Sequence, residues 1–169
     1  MARGQSDRIR SETLLLRADF CETCERELDA LANSLQGIAV LVGHPEKRDS
    51  HCYNAATLLN DGQRLATYYK QRLPSYEVFD EERYFDSGDG PCVLTLKGIR
   101  CGVNICADVW EPGAADLARA AGAAILLVLN ASPYHMGKRE RRTEVLRQRI
   151  ATTGLPVVYA NLAGGQDEL

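Results

Sequence analysis

This 169-residue sequence has no long apolar runs, little excess of charge of one sign and only three histidines. No stretch approaches the roughly 18 consecutive apolar residues that a membrane-spanning helix requires. The formal net charge is -3 with both signs interspersed, so nothing indicates nucleic acid or an anionic membrane as a partner. The first segment, MARGQSDRIR, lacks the apolar core of a secretory signal. Composition therefore predicts an ordinary globular domain that binds neither nucleic acid nor membrane.

The six cysteines follow no spacing that is typical of a disulfide framework. Cys21 and Cys24 form a CxxC pair, but without a second pair of ligands this is a weak signal for a metal or redox site. We therefore expect reduced thiols, a cytoplasmic protein and no bound metal.

Apolar periodicity and turn residues predict hairpins first and strand–helix–strand units later, which favours a mixed sheet covered by helices. Steps of three and four over 19–35 predict a helix whose buried face carries Phe20, Cys24, Leu28, Leu31 and Leu35. Asp19 and Glu22 predict a capping box at its start. Strands are predicted at 38–43, 52–60, 64–71, 91–96, 99–106, 123–130 and 156–162, and further helices at 114–121 and 138–153.

Cys106 ends the predicted strand in GVNICADVW, directly before a turn. A thiol there is either a small core residue or a nucleophile held by rigid backbone, and local sequence leaves both open. The three histidines, at 44, 51 and 135, stand in no recognisable Cys–His signature. A lysine paired with a carboxylate is an alternative to histidine for moving the proton of the thiol. Lys70, in ATYYKQ, is available, although its local sequence is also typical of a surface lysine.

Five segments in one collinear order, from about Glu12 to Leu169, resemble the nitrilase (carbon–nitrogen hydrolase) superfamily. They are ETLLLRADF, VGHPEKR with CYNAATLLNDGQRLATYYK, YYKQRLPSYEVFDEERYF, GVNICADVWEPG, and LNASPYHMGK with GLPVVYANLAGGQDEL. In particular they look like the glutamine amidase domains of glutamine-dependent NAD synthetases. Five segments in register are far more specific than any single short motif.

The resemblance implies an α/β fold with mixed sheets, a four-layer α-β-β-α sandwich formed by residues 12–169, with residues 1–11 unassigned. In the family a first strand and helix precede the matching part and closing strands follow it. We therefore expect a partial domain, incomplete at both the N- and C-terminus. The resemblance also implies a homo-oligomer for the full-length form, because nitrilase-type domains usually pair.

The resemblance further implies a catalytic triad of Glu, Lys and Cys. Cys106 matches the nucleophile, Lys70 the lysine, and Glu81 a second glutamate that orients the lysine or helps to move protons. A neighbouring ammonium is expected to lower the pKa of the Cys106 thiol. Three further positions match residues that line the glutamine pocket: Phe79, Ser132 and Tyr134.

Two positions depart from the family pattern. The family has Cys-Glu-Asp where this chain has Cys106-Ala107-Asp108, so a carboxylate that contacts substrate is replaced, while the backbone N–H of Ala107 is kept for an oxyanion. The first glutamate of the triad, the base, would fall near Arg3, where no Pro-Glu segment occurs.

Three functional hypotheses follow. The first is a glutamine amidohydrolase domain that supplies ammonia through a cysteine thioester, weak or inactive as this fragment. The second is another nitrilase-superfamily amidase, and the third is a non-catalytic remnant or binding module. No SGGxDS-type loop occurs, so ATP, Mg and deamido-NAD would belong to a separate synthetase domain that accepts the ammonia, and this domain is expected to need no cofactor.

Overall fold

The computed structural model describes residues 14, 15, 17–75, 80–131 and 136–163. Its helices are α1 (Ala18–Ser34), α2 (Ala107–Trp110), α3 (Ala114–Ala120) and α4 (Lys138–Thr153), with one 3₁₀ turn at Glu81–Arg83. Its strands are β1 (Ala39–Arg48), β2 (His51–Asn60), β3 (Gln63–Tyr69), β4 (Cys92–Leu96), β5 (Ile99–Ile105), β6 (Ile125–Asn130) and β7 (Val157–Asn161).

The strands form two sheets. The first sheet has the order β1-β2-β3 and is antiparallel throughout. The second sheet has the order β4-β5-β6-β7, with β4 antiparallel to β5 and the pairs β5–β6 and β6–β7 parallel. The parallel pairs are connected through helices, as crossover connections require. The mixed α/β class predicted from the sequence is confirmed.

Three apolar clusters fill the spaces between four layers. Leu28 and Ala32 of α1 pack on Leu59, on the outer face of the first sheet. Ala56 and Tyr68 of the first sheet meet Val103 and Ile105 of the second. The outer face of the second sheet packs against its helices through Val109, Ala115, Ala118, Leu126, Val128 and Leu155. Among the described residues the layer order is therefore helix, sheet, sheet, helix.

Tight turns set the strand register in both predicted hairpins. Asp61 and Gly62 join β2 to β3 with φ values of 44° and 81°, and Lys97 and Gly98 join β4 to β5 with 46° and 82°. Two successive positive φ values match the right-handed twist of the flanking strands, and a glycine at the second position avoids steric strain. Both hairpins are confirmed.

The structure corrects three local predictions. No side chain caps α1: its N-cap is Arg17, whose guanidinium bonds Asp19, so the Asp19–Glu22 capping box is wrong. Leu31 is 38% exposed, because the buried face of α1 is rotated toward Cys21, which is 7% exposed. The first strand continues through Pro45 to Arg48; among the described residues β1 has a neighbour on one side only, and such a strand tolerates a proline because its other side needs no N–H donors.

Several expectations concern what the described residues do not form. None of their helices is both long and apolar enough to cross a membrane. They contain no group of three or more His, Cys, Asp or Glu side chains that could hold a metal ion. All six cysteines are free thiols in this structure.

His44 provides a test of the first sheet. Its Nε2 lies 2.7 Å from Thr57 Oγ1, and burial lowers the pKa of the imidazole below 6.5. Because the folded state binds the proton less readily than the unfolded chain, the stabilisation is complete above about pH 6.5 and declines as pH falls below it. Urea unfolding should show that His44→Gln loses less stability than the unaltered chain between about pH 7 and pH 5.5. Equal losses would contradict this account, and His51→Gln, at an exposed histidine, is the control.

Candidate active site

A cavity of about 670 Å³ opens where the parallel strands of the second sheet end. Its volume is within the range of small-molecule sites, and the carboxyl ends of parallel strands are where α/β proteins commonly bind ligands. Its polar lining comes from both sheets and the loop before β4: His44, Asn54, Lys70, Glu81, Cys106, Asn130 and Asn161. The remaining described walls are mainly apolar. The cavity therefore combines a few polar groups with a water-excluding surface.

Cys106 stands between β5 and α2 in a strained conformation, with φ 43° and ψ -100°. A positive φ is uncommon for a residue with a side chain, and such strain costs about 1–3 kcal/mol. The backbone N–H of Cys106 donates to Leu129 O at 2.8 Å, which holds the turn against β6. The N–H of Ala107 opens α2, where a helix offers no internal acceptor. The turn thus presents a thiol beside a backbone donor.

Lys70 follows β3, and its side chain is only 1% exposed. Its Nζ donates to both carboxylate oxygens of Glu81, at 2.7 and 2.5 Å. Glu81 begins the 3₁₀ turn and is 22% exposed in its side chain. Because a buried ammonium without a counter-charge is very costly, Glu81 is what allows Lys70 to remain charged inside the cavity. Lys70, Glu81 and Cys106 all line that one cavity.

Backbone bonds on both sides fix the peptide that carries Lys70. Its N–H donates to Asn54 O at 2.9 Å, and its carbonyl accepts from Gly88 N at 2.8 Å. On the same loop, Asp86 N donates to Cys52 O at 2.7 Å. The loop is therefore anchored on both sides of the ion pair.

Burial raises the pKa of the Cys106 thiol above its ordinary value, because the thiolate would lose solvation. The ammonium of Lys70 acts in the opposite direction, while the charges of Glu81 and Asp108 raise the pKa further. The expected net lowering is therefore wrong in direction. The sequence indicated the cation, but it did not indicate the depth of burial or the carboxylates that offset the cation.

Four site residues were not found from the sequence. Asn54 lies on β2, and Asn130 and Asn161 are the last residues of β6 and β7. Asn130 Nδ2 donates to Asn161 Oδ1, so the two amides join the strand ends. Asp108 is fully buried beneath the Cys106 turn. A polar residue closing an apolar strand, as in LLVLN and VVYAN, was the signal that could have indicated two of them.

The remaining sequence-predicted positions divide into two groups. Ala107 is buried at 4% exposure in the turn after the thiol. Phe79, Ser132 and Tyr134 lie outside the described residues.

Comparison with known proteins identifies the family to which the chain belongs. The profile of the carbon–nitrogen hydrolase family matches residues 22–169. Glutamine-dependent NAD(+) synthetase from Xanthomonas campestris pv. campestris is 47% identical over 163 residues, covering 94% of this chain and 29% of that protein. The enzyme of the same name from Thermotoga maritima is 38% identical, with 94% and 28% covered. The chain thus spans less than a third of the length of the curated relatives it matches.

Solved structures agree. Glutamine-dependent NAD+ synthetase from Acinetobacter baumannii, in complex with ADP, superposes with a TM-score of 0.84 at 34% identity, over 90% of this chain and 29% of that one. A carbon–nitrogen hydrolase from Helicobacter pylori G27 gives a TM-score of 0.74 at 27% identity, over 89% and 55%. The fold is therefore the nitrilase-superfamily fold, as predicted.

A substitution at Gly88 tests how closely the loop packs against the end of β3 at Tyr69 and Lys70. A Cβ at Gly88 would overlap the carbonyl of Tyr69 and lie 2.8 Å from Tyr69 Cβ, whereas one at Gly90 would meet nothing within 4 Å. We expect Gly88→Ala to cost about 2 kcal/mol in urea unfolding, because backbone must move. Gly90→Ala is the matched control and should be close to neutral. Similar unfolding midpoints for the two variants would show that the loop is not held against β3.

Proposed function

We propose that this chain, which belongs to the carbon–nitrogen hydrolase family, carries a glutamine amide-hydrolysing site with Cys106 as its nucleophile. One observation carries the proposal: a thiol on a strained strand end shares a cavity with a buried lysine–glutamate ion pair. Amide hydrolysis through a thioester needs a nucleophile, a group that moves protons and donors for an oxyanion. The cavity offers a candidate for each role.

The roles follow from the contacts. The sulfur of Cys106 attacks the carbonyl carbon of the side-chain amide, and the carbonyl π electrons move onto oxygen. The Lys70 ammonium and the N–H of Ala107 stabilise that oxyanion. One such donor is worth about 3 kcal/mol in other enzymes. When the C–N bond breaks, the nitrogen takes the proton that the thiol gave up and leaves as ammonia. Water then cleaves the γ-glutamyl thioester, which returns the thiol and releases glutamate.

Glu81 is assigned to orienting Lys70 and balancing its charge, since both of its oxygens accept from Nζ. The family's first glutamate would be the main proton carrier, and MARGQSDRIR offers no matching Pro-Glu segment. We therefore propose that this chain forms the thioester slowly and turns over weakly by itself.

The choice of glutamine rests on the relatives, which are glutamine-dependent NAD(+) synthetases. Because the chain spans 29% of the Xanthomonas enzyme, we propose that the ammonia is destined for a synthetase domain, where ATP, Mg and deamido-NAD would be used. The amidase chemistry described here needs none of them.

Ala107 favours a second candidate, an amidase with a different amide substrate. Its methyl group is buried at 4% exposure and supplies no charge where the family pattern has a carboxylate. A substrate without an α-amino group would lose nothing from this replacement.

Acyl-enzyme trapping tests the proposal. The chain is incubated with glutamine or with propionamide, quenched in acid and examined by mass spectrometry, while ammonia is assayed in parallel. We expect a γ-glutamyl adduct on Cys106, and its loss in Cys106→Ser but not in Cys92→Ser, a thiol outside the cavity. An adduct from propionamide alone would favour the second candidate. Glutamine binding with neither adduct nor ammonia would favour a non-catalytic module.

Alkylation by iodoacetamide tests the charge balance at the thiol. Because burial raises the pKa of Cys106, its labelling rate should keep rising with pH beyond the ordinary cysteine range, above about pH 8.5. Lys70→Met removes the opposing cation and should slow labelling by about tenfold, equivalent to one pKa unit. Arg83→Met, at an exposed cation of the same loop, is the control. Equal rates in the Lys70 variant and the unaltered chain would refute the pairing.

A further inference from the structure

The carboxylate of Asp108 is fully buried and accepts four hydrogen bonds. Oδ1 accepts from the backbone N–H groups of Gln71 at 3.2 Å and Arg72 at 2.8 Å. Oδ2 accepts from the backbone N–H of Ile105 at 2.9 Å and from the hydroxyl of Tyr68 at 2.9 Å. Burial raises the pKa of the Asp108 carboxyl, while the bonds from Ile105, Arg72 and Tyr68 act in the opposite direction. The anion can accept all four bonds, whereas a protonated carboxyl could not accept them equally well.

These four donors belong to the two segments that carry the reacting groups. Gln71 directly follows Lys70 in the chain, and Ile105 directly precedes Cys106. One carboxylate group therefore lies between the peptide that holds the ammonium and the peptide that holds the thiol. The first segment leaves one sheet and the second leaves the other.

The same carboxylate closes the strained turn. Asp108 stands two residues after Cys106, and its bond to the N–H of Ile105 spans the turn on both sides of the thiol. With the bond from Cys106 N to Leu129 O, it opposes relaxation of the positive φ. A residue with a side chain keeps such a conformation only where its surroundings enforce it.

The neighbours of Tyr68 fix its hydroxyl as a donor to Asp108. Gln71 Nε2 donates to that oxygen at 3.2 Å, and Asn104 Nδ2 lies 3.4 Å from it. Burial, with the charge of Asp108, raises the pKa of Tyr68 far above its ordinary value, so the phenol keeps its proton. Tyr68 is therefore the donor in its bond to Asp108.

We infer that Asp108 is a positioning residue that sets the distance between Lys70 and Cys106, and so the extent to which the lysine activates the thiol. This inference rests on the proposed function, because it presupposes that Lys70 acts on Cys106. It adds a group that touches neither substrate nor the reacting atoms. A purely structural Asp108 would change stability but would leave the effect of Lys70 on the thiol unaltered in the folded chain.

A double-mutant cycle on the full chain separates these possibilities. The rate of Cys106 alkylation by iodoacetamide is measured between about pH 7 and pH 10, with and without Lys70→Met, in three backgrounds. In the unaltered background Lys70→Met should slow labelling about tenfold. In the Asp108→Asn background, where an amide nitrogen replaces one acceptor, the slowing should shrink to about twofold. Circular dichroism establishes that each variant is folded.

Thr57→Val is the control background. Thr57 is as buried as Asp108, and its hydroxyl bonds His44 and Thr67 rather than either reacting segment. Its loss of stability should leave the tenfold effect of Lys70→Met in place. If Asp108→Asn does not fold, Tyr68→Phe takes its place, since it keeps the ring and removes one of the four donors. There the slowing should fall below about fivefold.

The outcomes are distinguishable. A tenfold effect that persists in Asp108→Asn, or in Tyr68→Phe where that variant replaces it, overturns the inference and leaves the proposed function intact. An equal reduction in Thr57→Val shows that general loosening is responsible and also overturns it. If Lys70→Met changes nothing in the unaltered background, the pairing in the proposed function is wrong and the inference falls with it.

Discussion

The buried ammonium of Lys70 is the constraint on which the rest of the site depends. At 1% exposure it cannot remain charged without a partner, and Glu81 supplies that partner through both carboxylate oxygens. Glu81 is eleven positions further along the chain, so this pairing joins two separate parts of the chain at the cavity. Gly88 follows from this requirement, because its N–H bonds the Lys70 carbonyl and its backbone passes too close to Tyr69 for a side chain.

A buried ion pair such as Lys70–Glu81 contributes little to the stability of a fold by itself. Removing two charges from water costs several kcal/mol per ion, and an apolar pair of similar volume often serves the fold as well or better. The pair is useful where a charge must act inside a low-dielectric cavity, since an interaction there is much stronger than in water. Cys106 lines that cavity, and the charge of Lys70 is the largest effect that lowers the pKa of its thiol. The proposed chemistry of the thiol would therefore account for the pair better than folding alone does.

Local rules predicted the hairpins because the relevant information lies within a few residues. Asp61-Gly62 and Lys97-Gly98 fix their turns by backbone preference, and the alternating strands on either side need only pair. The capping box failed because Arg17, one residue before the helix, bonds Asp19 and no side chain caps the first turn. The continuation of β1 through Pro45 was not predictable, since it depends on pairing with β2, which lies several residues further along the chain.

The site was predictable to a different degree. Cys106 could be identified as a candidate nucleophile from its own segment. Catalytic roles for Lys70 and Glu81 were indicated only by the resemblance, because nothing in the local sequence distinguishes a buried lysine from a surface one. Asp108 stands two residues from the thiol and was still missed. Three of its four donors lie about forty positions earlier in the chain, at 68, 71 and 72, and only the approach of the two sheets brings them to it.

The direction of the Cys106 pKa shows what this long-range assembly does. A lysine beside a cysteine suggests an activated thiolate, yet burial and two carboxylates reverse that expectation. A thiol whose pKa is raised keeps its proton near neutral pH, so in the proposed mechanism the reactivity of Cys106 depends on transferring that proton during attack. Transfer in that step requires the partner groups to be already in position, since each ångström of misplacement slows the reaction. In the proposed mechanism, the bonds that fix the backbone on both sides of Lys70 and Cys106 are consequently as important as the side chains themselves.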